Sequence, residues 1–153
     1  MLVAAERDLR ALSGMTDPDV FVDEIFGFHA QQAAEKTLKA WLSLIDVDYP
    51  KTHDLSSIID LLESRGCAVK SKDQLLRLNV YAVQYRYEVL DEVSKALDRS
   101  SVEDYLGALF KAVQFEIDSR ALFRTCYGRR QRWFRNFMRA GKPVHLEIRR
   151  SET

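Results

Sequence analysis

An all-α, up-and-down bundle of four or five helices carrying a basic C-terminal extension is the fold this sequence predicts, and three observations predict it. Apolar residues recur at helical spacing through most of the first 123 positions. Alternating runs of Val, Ile and Thr, the signature of a sheet, are missing from that stretch, and only three prolines and six glycines punctuate the whole chain. A chain of 153 residues folds by default as one domain and buries roughly 70% of its unfolded surface, enough for a core without staples.

Each element follows from its own pattern. Leu2, Ala5, Leu9 and Leu12 form one stripe of a first helix that stops near Gly14. Asp17-Pro18 supplies a capping carboxylate and a first-turn proline for a second helix reaching about Ile45. Its later half sets Ala34, Leu38, Trp41, Leu42 and Ile45 on one arc, and its early half sets Phe21, Ile25 and Phe28 on another, so neighbours must cover it on two sides. Thr52 reads as the cap of a third helix from His53 to about Arg65, with Leu55, Ile58, Ile59 and Leu62 inward and Gly66 as its stop. A fourth, from about Asp73 to Leu97, turns Leu75, Leu78, Ala82, Val89 and Val93 toward a core. Ser100 or Ser101 caps a fifth, which presents Leu106, Leu109, Phe110, Val113, Ile117 and Ala121.

Beyond Arg124 the character changes. Gly128 reads as a break, followed by a short helix with Arg132, Arg135 and Arg139 opposite Trp133, Phe134, Phe137 and Met138 and closed by Gly141-Lys142-Pro143. The segment Val144 to Arg149 alternates with the period of a strand, which would fray or pair across a dimer. The expected organisation is therefore a bundle over 1–123 and an extension over 124–153. The zero net charge conceals that division: the first 123 residues hold 14 basic and 21 acidic side chains, the last 30 hold 9 and 2. Such an extension suits an RNA backbone with stacked bases or an acidic protein surface, or else packs its aromatics on the bundle with its arginines solvated.

Several function classes fall away. No apolar run approaches the roughly 18 residues of a bilayer span, and the charged first helix is no secretory signal, so a cytoplasmic chain with no membrane contact is expected. Cys67 and Cys126 lack metal or redox spacing and read as reduced thiols. His29, His53 and His145 have no metal-ligand spacing, so neither a metal nor another cofactor is expected. Phosphate-loop, dinucleotide-fold and serine-hydrolase glycine motifs are missing, and the glycines read as helix stops.

The polar residues that stand out lie on two helices. Asn79 and Arg86, seven positions apart, share the stripe of Leu75, Ala82 and Val93. A guanidinium on an apolar stripe must meet a carboxylate such as Glu35, a set of backbone carbonyls, or an anionic ligand such as a phosphate, for which its planar fork is suited. On the second helix His29, Gln32 and Lys36 follow one another at i, i+3, i+7 beside Gln31 and Glu35, as a solvated face or a ligand edge. His53 stands beside a helix start, where amide groups favour anions, or serves packing and capping. Tyr81, Tyr85, Tyr87 and Tyr49 offer a stacking surface for bases or belong to core and dimer contacts. His53 and His29 are the weak candidates for a catalytic base, while Arg86, Asn79, Lys36 and Gln32 are the candidates for ligand binding.

The run Phe28-His29-Ala30-Gln31-Gln32-Ala33-Ala34-Glu35-Lys36-Thr37-Leu38-Lys39-Ala40, then Lys51-Thr52-His53-Asp54-Leu55, then Leu78-Asn79-Val80-Tyr81 and Tyr85-Arg86-Tyr87, resembles the HEPN domain (higher eukaryotes and prokaryotes nucleotide-binding). Ala5-Glu6-Arg7-Asp8-Leu9 agrees as well, and the resemblance spans about residues 1–123. It implies a helical bundle that pairs as a homodimer around a polar cleft. Many members work beside a minimal nucleotidyltransferase as toxin and antitoxin. Active members of the family place a histidine four to six positions after an arginine for metal-independent attack of a ribose 2′-OH. Here Tyr81, Ala82 and Val83 occupy those positions after Arg77, and Leu90, Asp91 and Glu92 after Arg86. The resemblance therefore implies a module that binds a nucleotide or RNA phosphate. Its alternatives are a metal-independent endoribonuclease using His53 or His29, and a structural interaction subunit.

Overall fold

The helix Asp23–Leu44, α2, is the one on which the others converge: α1 (Leu2–Gly14), α3 (Leu55–Ser64) and α5 (Val80–Val83) all pack against it, and α4 (Lys72–Arg77) packs on α3. The remaining helix, α6, runs Arg99–Arg139. This computed structural model describes residues 1–83 and 97–139, without the side chains of residue 83 and of 122–139. Among the described residues there is helix and no strand, in agreement with the all-α reading. The chain divides into two compact units, Met1–Ile117 and Asp118–Thr153; the described part of the second is the helical stretch 118–139. Arg86, Tyr85, Tyr87, His145 and the strand expected over 144–149 lie outside the described residues.

The core of the first unit is built on small residues of α2. Ala30, Ala33 and Ala34 are buried and let neighbouring helices approach. Phe26, Leu38 and Leu42 fill the space between them and Leu12 of α1, Leu55, Ile58, Ile59 and Leu62 of α3, Leu75 of α4, and Val102, Leu106, Leu109 and Val113 of α6. A helix apolar on two arcs has neighbours on two sides, as its pattern requires.

The helix ends differ from expectation in ways that local chemistry explains. Asp17 does not start α2. Its side chain accepts from the Asp19 amide (2.9 Å) and its carbonyl from Phe21 (2.9 Å), closing a turn, and α2 begins only at Asp23, with Asp23 and Glu24 facing its dipole. Asp54, not Thr52, caps α3, accepting from the Ser56 and Ser57 amides, while the Thr52 hydroxyl accepts from Asp54. Asp98, not a serine, caps α6 by accepting from the Ser101 amide (3.1 Å). Gly66 does stop α3: with φ of 81° it returns its amide to Glu63 while Cys67 bonds Leu62. The end of α2 repeats this double bond with Asp46 at φ 55° in the glycine position.

Two expected continuities also change. The helix expected over 73–97 is broken at Leu78-Asn79, because the Asn79 side chain is engaged by the start of α3 and the local amides switch to i−3 carbonyls. Conversely α6 passes through Gly128 without a break, a tolerable loss of about 1 kcal/mol in a helix of 41 residues. Glycines are thus not only stops. Gly27 lies inside α2 with the Tyr81 ring laid on it, so close that an added Cβ would stand 2.5 Å from the ring.

That approach has a measurable consequence. Gly27→Ala should destabilise the fold by about 1–3 kcal/mol in urea unfolding, and the loss should shrink in a Tyr81→Ala background because the ring it collides with is gone.

Candidate functional site

Helix α2 carries a continuous polar band, and the sequence of side chains on it is fixed by the helical repeat. Gln31, Glu35 and Lys39 succeed one another at i, i+4, i+8, and His29, Gln32 and Lys36 run alongside. On the first of these rows Glu35 and Lys39 are both buried, their side chains 7% and 9% exposed, and joined at 2.7 Å. Two buried charges persist only when every remaining valence is answered. Lys39 also donates to the Thr52 carbonyl (2.7 Å) and lies over the Tyr49 ring. The second Glu35 oxygen faces Gln31 Nε2 (3.0 Å) and His53 Nδ1 (3.1 Å), and Gln31 Nε2 donates in turn to the His53 carbonyl (2.9 Å).

This arrangement decides the protonation of the carboxyl. Burial would push Glu35 up, but hydrogen bonds from Lys39, Gln31 and His53 outweigh it and hold it below its ordinary value of 4.5. The His53 ring lies at the surface, 63% exposed, with one nitrogen fixed on Glu35 and no hydrogen bond to Nε2 among the described residues. An exposed imidazole is thereby aimed by a carboxylate that is itself locked.

The second row is organised from α1. One carboxylate, Asp8, receives Lys36 at 2.6 Å and faces His29 Nδ1 at 3.2 Å. Gln32 donates to Gln31 Oε1 (2.8 Å), linking the rows. The structure therefore gathers His29, Gln32, Lys36 and His53 on one band. Asn79 takes a different place: its Oδ1 accepts from the Leu55 amide (2.8 Å) and its Nδ2 donates to Asp54 Oδ1 (2.8 Å) and Ser56 Oγ (3.1 Å), clamping the start of α3 two residues after His53. Arg86 is outside the described residues, and the described partners of Glu35 are Lys39, Gln31 and His53.

Sequence reasoning named Glu35 only as a partner for Arg86 and missed the organiser Asp8 and the buried Lys39, although the Gln31/Glu35/Lys39 spacing was a legible signal. It also missed Arg99, a half-buried guanidinium that donates to Asp23 Oδ1 (2.7 Å), Met15 O (2.7 Å) and Phe21 O while lying 5.0 Å over the Phe26 ring. Cys67 is a half-buried free thiol. Among the described residues no group of His, Cys, Asp and Glu could hold a metal ion, and no helix is long and apolar enough to cross a membrane.

Two outcomes test the network. Glu35→Gln should lose about 3–5 kcal/mol of unfolding free energy by stranding Lys39, and Glu35→Leu with Lys39→Met should recover most of it. Asp54, held by the Ser57 hydroxyl and the capped amides, is lowered from 3.8 to about 2. Its depressed value adds stability above pH 3.8 that is lost as pH falls toward 2, so Asp54→Ala should remove part of the acid sensitivity in that window.

No curated protein and no solved structure matches the chain. The family model for the HEPN domain matches residues 2–115, which takes in α1 to α5, the start of α6 and every residue of the polar band. Three quarters of the sequence lie inside that match, and the chain belongs to the HEPN domain family.

Proposed function

We propose that this HEPN-domain protein binds the phosphate of a nucleotide or of an RNA strand, as a cytoplasmic homodimer working with a minimal nucleotidyltransferase in a toxin–antitoxin-type pair. The observation that carries the binding reading is the open imidazole of His53 on a buried pair that is internally neutral. The Glu35 and Lys39 charges cancel, so the pair beneath the exposed His53 ring does not repel an anion that approaches it. Lys36 and Gln32 extend the same band, and Arg86 supplies the bidentate cation in this reading. Asn79 contributes by holding the His53 loop against α3 and not by touching the phosphate. The partner and the dimer rest on membership of the family.

A second reading is favoured by the Glu35–His53 geometry. With Nδ1 engaged by a carboxylate, Nε2 is the nitrogen left to accept a proton, the arrangement a general base needs to draw the proton from a ribose 2′-OH without a metal. Both readings meet in one experiment on the purified protein. Binding of short single-stranded RNA should weaken roughly tenfold in Arg86→Ala and in His53→Ala with the fold intact, and unchanged affinity in both would overturn the binding reading. Cleavage of that RNA in EDTA, lost in His53→Ala, would establish the ribonuclease reading; no cleavage at high protein concentration would sink it.

A further inference from the structure

Apart from the α2 band, a concavity of about 440 Å³ is lined by residues of α4, α5 and the first turns of α6. That is within the size range of small-ligand sites. Its chemistry is sorted. Two tyrosines line it: Tyr81, almost fully buried with its ring seated on Gly27, and the half-buried Tyr105, whose ring is the more accessible of the two. Burial pushes the Tyr105 phenol up to about 12 against the pull of nearby Arg77, so both faces are those of neutral phenols. Arg77 and Gln74 stand three residues apart on α4, exposed at the rim. Among the described residues Arg77 has no hydrogen bond or ion pair. Across from them Asp98 uses one oxygen to cap α6, leaving the other as an acceptor.

A cavity lined by the half-buried Tyr105 ring, by an arginine without a partner among the described residues, and by an amide and a carboxylate matches a planar heteroaromatic ring that bears an anionic group. We infer that this cavity seats a nucleobase against Tyr105, with Arg77 on the attached phosphate and Gln74 and Asp98 on the ring's polar edge. The inference rests on the nucleotide or RNA reading above and gives it a second contact region outside the α2 band. The two regions are joined through Asn79, whose side chain holds the segment after His53 while its backbone separates the cavity residues Leu78 and Val80. A free mononucleotide and one residue of an RNA strand offer the same chemistry.

The test measures binding of AMP, GMP, inorganic phosphate and a short single-stranded RNA to the full chain and to Tyr105→Leu, Arg77→Ala, Ser101→Trp and His53→Ala. Loss of stacking or of the guanidinium should weaken base-bearing ligands roughly tenfold, and inorganic phosphate far less. Ser101→Trp, which plugs the cavity from an exposed position and leaves Tyr105 and Arg77 in place, should do the same if Tyr105→Leu proves unstable. Weakening for mononucleotides assigns a free nucleotide, and weakening for RNA alone assigns a strand. If the ligands bind, and His53→Ala weakens them while none of the cavity variants does, the cavity proposal is overturned and the phosphate reading stands. If neither mononucleotide nor RNA binds the unaltered protein, both fall.

Discussion

A charged carboxylate inside a helical bundle has to be answered by donors before the apolar layers can close over it, and Glu35 imposes that condition on everything near it. Lys39 is buried because Glu35 is; Gln31 is oriented because Glu35 needs another donor; the loop before α3 is drawn onto α2 because the Thr52 and His53 carbonyls complete the same set. A bundle sealed only by alanine and leucine could slide by a turn with modest loss, since hydrophobic packing is non-directional. Directional bonds from one oxygen pair and its two donors on α2 leave a single register between α2 and the 45–54 connection.

The start of α2 repeats the principle with a cation drawn from another helix. There the acid, Asp23, belongs to the helix start, and the cation, Arg99, comes from α6. Its planar group satisfies two loop carbonyls besides, so the irregular segment 15–22 needs no hydrogen-bonded ladder of its own. Ala30, Ala33 and Ala34, interleaved with Gln31 and Glu35, keep the rest of α2 closely packed.

How much of this was legible in the sequence depends on the range of the interaction concerned. Helical class and most inward positions follow from periodicity, a local property, and Leu55, Ile58, Ile59 and Leu62 are buried as their spacing requires. Gly66 stops α3 for the reason its lack of a side chain suggests. Caps were misassigned between neighbours: Asp54 sits two residues from Thr52, Asp98 two from Ser100, and the choice between adjacent oxygens is made by backbone direction. The break at Asn79 was hidden because it is imposed by α3, 24 residues earlier in the chain. His53 was visible as an exposed imidazole beside a helix start, but its orientation was not, because that depends on a carboxylate 18 residues away. Family resemblance reached the right fold because its motifs are those same packing and capping residues.

The dependence of the 15–22 segment on Arg99 bears on the order in which the protein is made. Met15 and Phe21 leave the ribosome more than 75 residues before the guanidinium that donates to their carbonyls. Until α6 has emerged, α1 and α2 can pair only through their apolar faces and the Asp8 contacts, and the turn between them has only its own local bonds at Asp17, leaving the Met15 and Phe21 carbonyls unanswered in a segment of the kind proteases and holdase chaperones engage. Completion of this N-terminal hairpin is therefore a late event of synthesis, coupled to the arrival of the helix that follows everything else in the bundle.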